Sequence, residues 1–259
     1  MKQEKIRISC IGSGGVASSL LPALYDAGCK IVQVCSRNIE HAQRLAKVVG
    51  AMGINHLAEL NNAVELIIIS ISDSEIEGVL KAVNFGNAMV VHTAGSVPMQ
   101  VMADAGVARY GVLYPLQTFS CTRSVSLAQV PLFIEAANPN DLQELKFLAK
   151  KISSTVTELD SQQRMLLHVA AVFACNFTNH MMTISASLLK NVNQDFELVK
   201  PLIQETFEKA LAGDNPAEAQ TGPAVRGDVV TVKKHMEALK NDTAFQQLYQ
   251  LISENIMKK

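Results

Sequence analysis

Ile6-Arg7-Ile8-Ser9-Cys10-Ile11-Gly12-Ser13-Gly14-Gly15-Val16-Ala17, near the start of the chain, runs a short strand pattern straight into a glycine turn. Ile6, Ile8 and Ile11 mark the strand, and a helical pattern follows over 18–27. The turn has the form G-x-G-x-x-A, the dinucleotide-binding fingerprint, in the strand-before, helix-after setting that it requires. Gly12 permits the tight turn, Gly14 lets the backbone approach a pyrophosphate, and Ala17 keeps the new helix close to the sheet. Free N–H groups at the helix start then face the phosphates, with Ser13, Gly15 and Val16 completing the loop. The plainer alternative is an ordinary glycine turn in an α/β protein.

Outward from this turn the chain has two textures. Up to about residue 157, apolar runs at 5–11, 30–35, 66–70, 89–92, 111–114, 132–136 and 155–159 read as strands. Helical patterns lie among them at 18–27, 38–49, 74–82 and 140–151. Continuous apolar strands separated by helices predict a Rossmann-type α/β fold with a doubly wound, mostly parallel sheet. Leu66-Ile67-Ile68-Ile69 has no polar face, so it belongs in the middle, covered on both sides. After Leu159 the pattern is helical throughout: one long helix over 161–190, then 198–212, 229–240 and 243–257. Asp160-Ser161 and Asp228 suit helix N-caps, and Gly213 suits a stop. The expected division is a cofactor-binding domain over 1–157 and a helical substrate and dimerisation domain over 158–259.

Composition narrows the function classes. Of 259 residues, 48% are hydrophobic and 18% charged, with a formal net charge of −1. That balance argues against nucleic acid or an anionic membrane as the main partner. Met1-Lys2-Gln3-Glu4-Lys5 leads into a strand rather than a secretory apolar run, and stretches such as 169–175 are too short to span a bilayer. The expectation is a cytoplasmic protein. Cys10, Cys29, Cys35, Cys121 and Cys175 are scattered without a C-x-x-C pair, which suits buried, reduced thiols and no metal site.

In this fold the second strand ends beside the adenosine ribose, where an Asp or Glu selects NAD through the 2′-hydroxyl. Here Ser36-Arg37-Asn38 stands there, with no carboxylate. A hydroxyl, a guanidinium and an amide suit a 2′-phosphate, so the expected cofactor is NADP(H). Otherwise Arg37 is a solvated residue and Asn38 merely caps the next helix. Ligands in open α/β sheets bind outside the carboxyl ends of the strands. The loop Ser70-Ile71-Ser72-Asp73 is expected on the ribose and nicotinamide side, and Thr93-Ala94-Gly95 close to the cofactor. Ser96 and, in Tyr114-Pro115-Leu116-Gln117-Thr118-Phe119-Ser120, Gln117 are candidates for holding substrate.

On the long helix, at 100° per residue, His168, Asn176, Asn179 and Thr183 share an arc of about 80°. The rest of its circumference is largely apolar, which predicts burial and makes the polar stripe the wall of a substrate cleft. His168 is the candidate general acid/base, its ordinary pKa of about 6.5 suiting proton exchange at neutral pH. Asn176 is the candidate for orienting substrate by hydrogen bonding, with Asn179 and Thr183 beside it. The alternative is a satisfied buried histidine and amides at a helix or subunit contact. In Thr221-Gly222-Pro223-Ala224-Val225-Arg226-Gly227-Asp228, Arg226 is a cation available to a substrate carboxylate, an acidic side chain or a second subunit.

The N-terminal half resembles the NADP-dependent oxidoreductases that include pyrroline-5-carboxylate reductase and the deazaflavin-dependent NADP reductases, on Gly12–Ala17, Ser36-Arg37-Asn38 and 70–73. The whole chain more closely resembles a bacterial family with a Rossmann-like domain followed by a helical domain of unknown function. That resemblance lies in 114–120, in Leu167-His168-Val169-Ala170-Ala171-Val172-Phe173-Ala174-Cys175-Asn176 and in 221–228. It implies an NADP oxidoreductase without an established substrate. More distantly the chain is similar to 3-hydroxyacid dehydrogenases and ketopantoate reductases, whose early helical lysine is replaced here by His168.

The leading expectation is an NADPH-dependent reductase of a small carbonyl or imine, with hydride from NADPH and a proton from His168. Two alternatives stay open: a dinucleotide-binding sensor or assembly protein without chemistry, and an NADP reductase with a deazaflavin partner. The apolar helical half also predicts a homodimer formed through it.

Overall fold

A run with no polar face must be covered on both sides, and Leu66–Ile69 (β4) is, with all four residues buried. In the computed structural model, which describes residues 5–120, 123 and 125–258, β4 lies parallel between β1 (Arg7–Ile11) and β5 (Met89–His92). Alternate side chains point to opposite faces of a strand. Leu66 and Ile68 therefore join a core with Ile8, Leu20, Leu24 and Leu145, while Ile67 and Ile69 join another with Ile76, Leu80 and Met102. Each such burial stabilises by on the order of 1.5–3 kcal/mol, so β4 anchors two cores at once.

Beyond β1 come β2 (Lys30–Cys35) and β3 (Met52–Ile54); beyond β5 come β6 (Tyr110–Pro115), β7 (Leu132–Ala136) and β8 (Val156–Glu158). The order is β3-β2-β1-β4-β5-β6-β7-β8, parallel throughout except where β7 runs antiparallel to β6. Helices α1 (Gly15–Asp26), α2 (Ile39–Val48), α3 (Ile76–Ala82), α4 (Gln100–Asp104) and α5 (Pro139–Ala149) connect the strands. This is the Rossmann-type, mostly parallel sheet expected. The short β3 and α4 were not anticipated. β3 is three residues around Gly53, where a Cβ would lie 2.7 Å from the Gln43 backbone nitrogen. Glycine is needed there for α2 to pack, and it hides the strand from an apolar pattern.

The described residues divide into two compact units, one up to Cys175 and one from Asn176. The first ends in α6 (Ser161–Ala171), opened by a capping box: Asp160 accepts from the Gln163 N–H, and the Gln163 side chain accepts from the Asp160 N–H. The second is helical, with α7 (Thr178–Lys190), α8 (Lys200–Ala212), α9 (Val229–Ala238) and α10 (Thr243–Met257). Asp228 caps α9, and α8 gives way at Gly213, as read from the sequence.

Two expectations for 161–190 need correction. The run is helical, but Val172–Phe177 is a π turn, so a uniform 100° per residue does not hold across it. Nor is it mostly buried: Arg164 is the one buried residue of α6, while Leu166 is 66% exposed and Met165 and Val169 are also exposed. The apolar perimeter of this helix exceeds what the chain's own cores take up. Cys10, Cys29 and Cys35 are buried free thiols, their pKa values raised above the usual thiol range by burial. Cys175 is free but exposed, and Cys121 lies outside the described residues.

Candidate functional site

The carboxyl ends of β1, β2, β4, β5 and β6 surround one cavity of about 660 Å³, lined entirely by the first unit. That volume lies within the range of small-molecule and cofactor pockets. At its floor the Gly12 N–H donates to Cys35 O at 2.8 Å, and the Ser70 N–H to Ile11 O at 2.7 Å. Gly12 has φ +120°, and a Cβ on it would stand 1.9 Å from Ser70 O. Only glycine permits that approach. Gly14 precedes α1, and a Cβ there would meet nothing within 4 Å, leaving backbone and helix start open to the cavity. Gly15 packs against Phe119, and Ala17 is buried beneath the turn. Gly12, Ser13, Gly14, Gly15 and Val16 all line the cavity.

At the β2 end, Ser36 and Arg37 line the same space. The Ser13 hydroxyl donates to the Ser36 hydroxyl at 2.8 Å, tying the glycine turn to the β2 loop. The Asn38 side-chain oxygen accepts from the Glu40 and His41 N–H groups, so this residue caps α2, the alternative weighed for it above. No carboxylate stands in 36–38, but the fold brings one: Glu75 lies 2.8 Å from Arg37 Nη1.

Ser70, Ile71, Ser72, Thr93, Ala94, Gly95 and Gln117 also line the cavity. The Thr93 hydroxyl donates to the Ser70 hydroxyl at 3.3 Å, joining the β4 and β5 loops. Ser96 donates to the Asp73 carboxylate. The Gln117 oxygen accepts from the Thr118 N–H at 2.7 Å.

His168 reaches this cavity from α6. Its Nδ1 lies 2.9 Å from the Tyr114 hydroxyl, with the rings edge to face. A Cβ on Gly95 would stand 2.6 Å from that Nδ1, so the glycine makes the room that the imidazole occupies. Burial, with the Asp73 charge adding to it and Arg164 opposing, holds the Tyr114 phenol above its ordinary pKa. Below α6 a buried network fixes the helix. Arg164, 1% exposed, ion-pairs with Glu135 and donates to Val97 O at 2.6 Å. Ser161 donates to Glu135 and accepts from the Met99 N–H at 2.9 Å. His92 is buried and its pKa is lowered to about 3 by burial and then by the Arg164 charge; its Nδ1 accepts from the Ala94 N–H at 3.2 Å.

Sequence reading did not select Tyr114, Asp73, Arg164 or Glu135 as site residues. Tyr114 and Asp73 stood in loops that it had marked, whereas Arg164 and Glu135 pair across 29 positions without a motif. Asn176, Asn179, Thr183 and Arg226 belong to the second unit and are exposed. The Thr183 hydroxyl donates to Asn179 O at 3.2 Å. Among the described residues no group of three or more His, Cys, Asp or Glu is placed to hold a metal ion, and no helix is long and apolar enough to cross a membrane.

Two family models match the chain: shikimate / quinate 5-dehydrogenase over residues 1–108, and a domain of unknown function, DUF2520, over residues 130–256. A comparison with curated proteins finds no match. Among solved structures, a putative NADP oxidoreductase from Bacteroides fragilis is 44% identical, with a TM-score of 0.89 over 98% of this chain and 99% of that one. The imine reductase of Myxococcus stipitatus, in complex with NADP+, is 13% identical, with a TM-score of 0.65 over 97% and 92% of the two chains. The 1-pyrroline-5-carboxylate reductase of Streptococcus pyogenes is 13% identical, with a TM-score of 0.62 over 98% and 99%. The last two share the fold. The identity over nearly the full length of the first shows that the chain belongs to the oxidoreductase family of the Bacteroides fragilis protein.

Proposed function

We propose that the chain is an NADP(H)-dependent oxidoreductase that reduces a small carbonyl or imine, with His168 as proton donor. The observation that carries this reading is that one cavity holds both the glycine turn and His168. The residues present fit the cofactor: open space over Gly14, a free helix start behind it, and Ser36 and Arg37 for a 2′-phosphate. NADPH, when bound there, supplies a hydride. The remaining task of the protein is to hold the substrate and deliver a proton. With its Nδ1–H donated to the Tyr114 hydroxyl oxygen, a doubly protonated His168 can pass its Nε2 proton to a developing oxyanion or amine and is left as the neutral imidazole. We assign substrate holding to Ser96 and Gln117 in the first unit.

We assign cofactor binding to 1–157, and substrate binding with self-association to 158–259. Self-association as a homodimer is supported by the apolar residues that the helical unit leaves at its surface, Leu211 at 80% exposure and Leu198, Leu202, Val230 and Leu251 among them. Light scattering at micromolar concentration should give twice the chain mass; the single-chain mass would remove the dimer. For the activity, calorimetry should show tight NADPH and weaker NADH binding, and a panel of carbonyl, imine and flavin-like acceptors should show NADPH consumption with one of the first two. His168→Ala should abolish turnover and keep NADPH affinity. Intact turnover in that variant removes His168 from the chemistry, and turnover confined to flavin-like acceptors replaces the carbonyl or imine reading.

A further inference from the structure

Ser36-Arg37-Asn38 carries no acid, yet the folded chain brings a carboxylate to this position from another strand end. Glu75 closes the 3-10 turn Asp73–Glu75 after β4, and its Oε1 accepts from Arg37 Nη1 at 2.8 Å. Both residues line the cavity that contains the glycine turn, and the Arg37 side chain remains 83% exposed. The turn is held independently of Arg37, because the Glu75 N–H donates to Ser72 O at 2.9 Å and Asp73 accepts from Ser96. We propose that Glu75 sets the chain's choice between NADPH and NADH by competing with the 2′-phosphate for Arg37, an inference that rests on the cofactor reading above.

The competition follows from donor geometry and charge. A guanidinium presents one planar fork of N–H donors, and carboxylate and phosphate oxygens fit that fork equally well. Glu75 takes one N–H of Arg37, so a 2′-phosphate that binds the guanidinium displaces Glu75 or shares the cation with it, and in both cases lies beside a like charge that the anchored turn keeps near. NADH brings a 2′-hydroxyl instead. That group leaves the Arg37–Glu75 pair intact and can donate to the Glu75 carboxylate, the contact that an acid at the end of the second strand makes in NAD-selective folds of this type. Glu75 thus penalises NADPH and accommodates NADH, and the preference for NADPH is narrower than Ser36 and Arg37 alone would set.

The test is calorimetric titration of the full chain with NADPH and, separately, NADH, for the wild type, E75Q, E75A and R37A. In E75Q the side chain keeps its shape and loses its charge. NADPH should then bind about two- to fivefold more tightly, the range an exposed ion pair spans, while NADH binds no better than before. E75A should move the ratio in the same direction, and R37A should bring the two dissociation constants together. Thermal melts that match the wild type show that the turn has kept its fold. An unchanged or reduced NADPH preference in both Glu75 variants overturns the inference while leaving the cofactor reading in place. Failure of the wild type to bind either dinucleotide overturns the cofactor reading and the inference with it.

Discussion

At Gly95 the missing side chain is a chemical requirement, since a Cβ there would stand 2.6 Å from His168 Nδ1. Gly95→Ala should displace the imidazole and lower kcat by about tenfold or more in steady-state assays, because a misplaced catalytic group loses rate. Tyr114→Phe leaves His168 Nδ1 without its phenol partner and should reduce kcat within the roughly 10²-fold range of a general acid–base contribution, with NADPH affinity kept. The Tyr114 pKa is raised, so loss of activity on going from pH 7 to 9 would not come from its ionisation. Gly95 and His168 were each legible as candidates in the sequence, but their contact was not, because it joins a strand-end loop to a helix 73 positions on. His92 gives a pH prediction of its own. Above pH 6.5 its ring is neutral in folded and unfolded chains alike; as pH falls from 6.5 towards about 3, the unfolded chain binds a proton that the folded chain refuses. Stability should therefore drop with acid across that window, by up to about 1.4 kcal/mol per pH unit from this group, and His92→Asn should lack that component in urea titrations at pH 7 and pH 5.

Among the elements, α6 shows how local sequence and distant partners divide the task of placing one residue. Its start was legible from Asp160-Ser161, because a capping box is a local signal. Asp160→Ala should cost about 1 kcal/mol in chemical denaturation. Its packing was not legible, since Arg164 finds Glu135 on β7 and Val97 in the loop after β5. Glu135→Gln leaves a buried guanidinium without its counter-charge and should cost about 3–5 kcal/mol, several times the loss of the cap. The π turn bears on the polar stripe drawn from spacing: a uniform 100° per residue was its premise, and Val172–Phe177 departs from it. β3 escaped for a different reason, the close packing that makes Gly53 obligatory also removing the apolar alternation that would reveal a strand.

For the molecule as a whole, the fold class was readable because its strongest signals are short-range: a strand, a glycine turn and a helix start within the first 17 residues, then a strand with no polar face. What the sequence left dark were pairings between loops, Glu75 with Arg37 and Asp73 with Ser96, which exist only once the strand order is set. The burial of β4 against both cores separates the chain's backbone into fast and slow clocks. Amides of Ile67, Ile68 and Ile69 cannot meet solvent without opening both faces of the sheet, so their deuterium uptake should follow global unfolding, while the exposed turn at Asp73–Glu75 exchanges through local fluctuation. A cofactor that seats beside that turn should slow the fast clock at concentrations near its dissociation constant and move the slow one only by the free energy of binding.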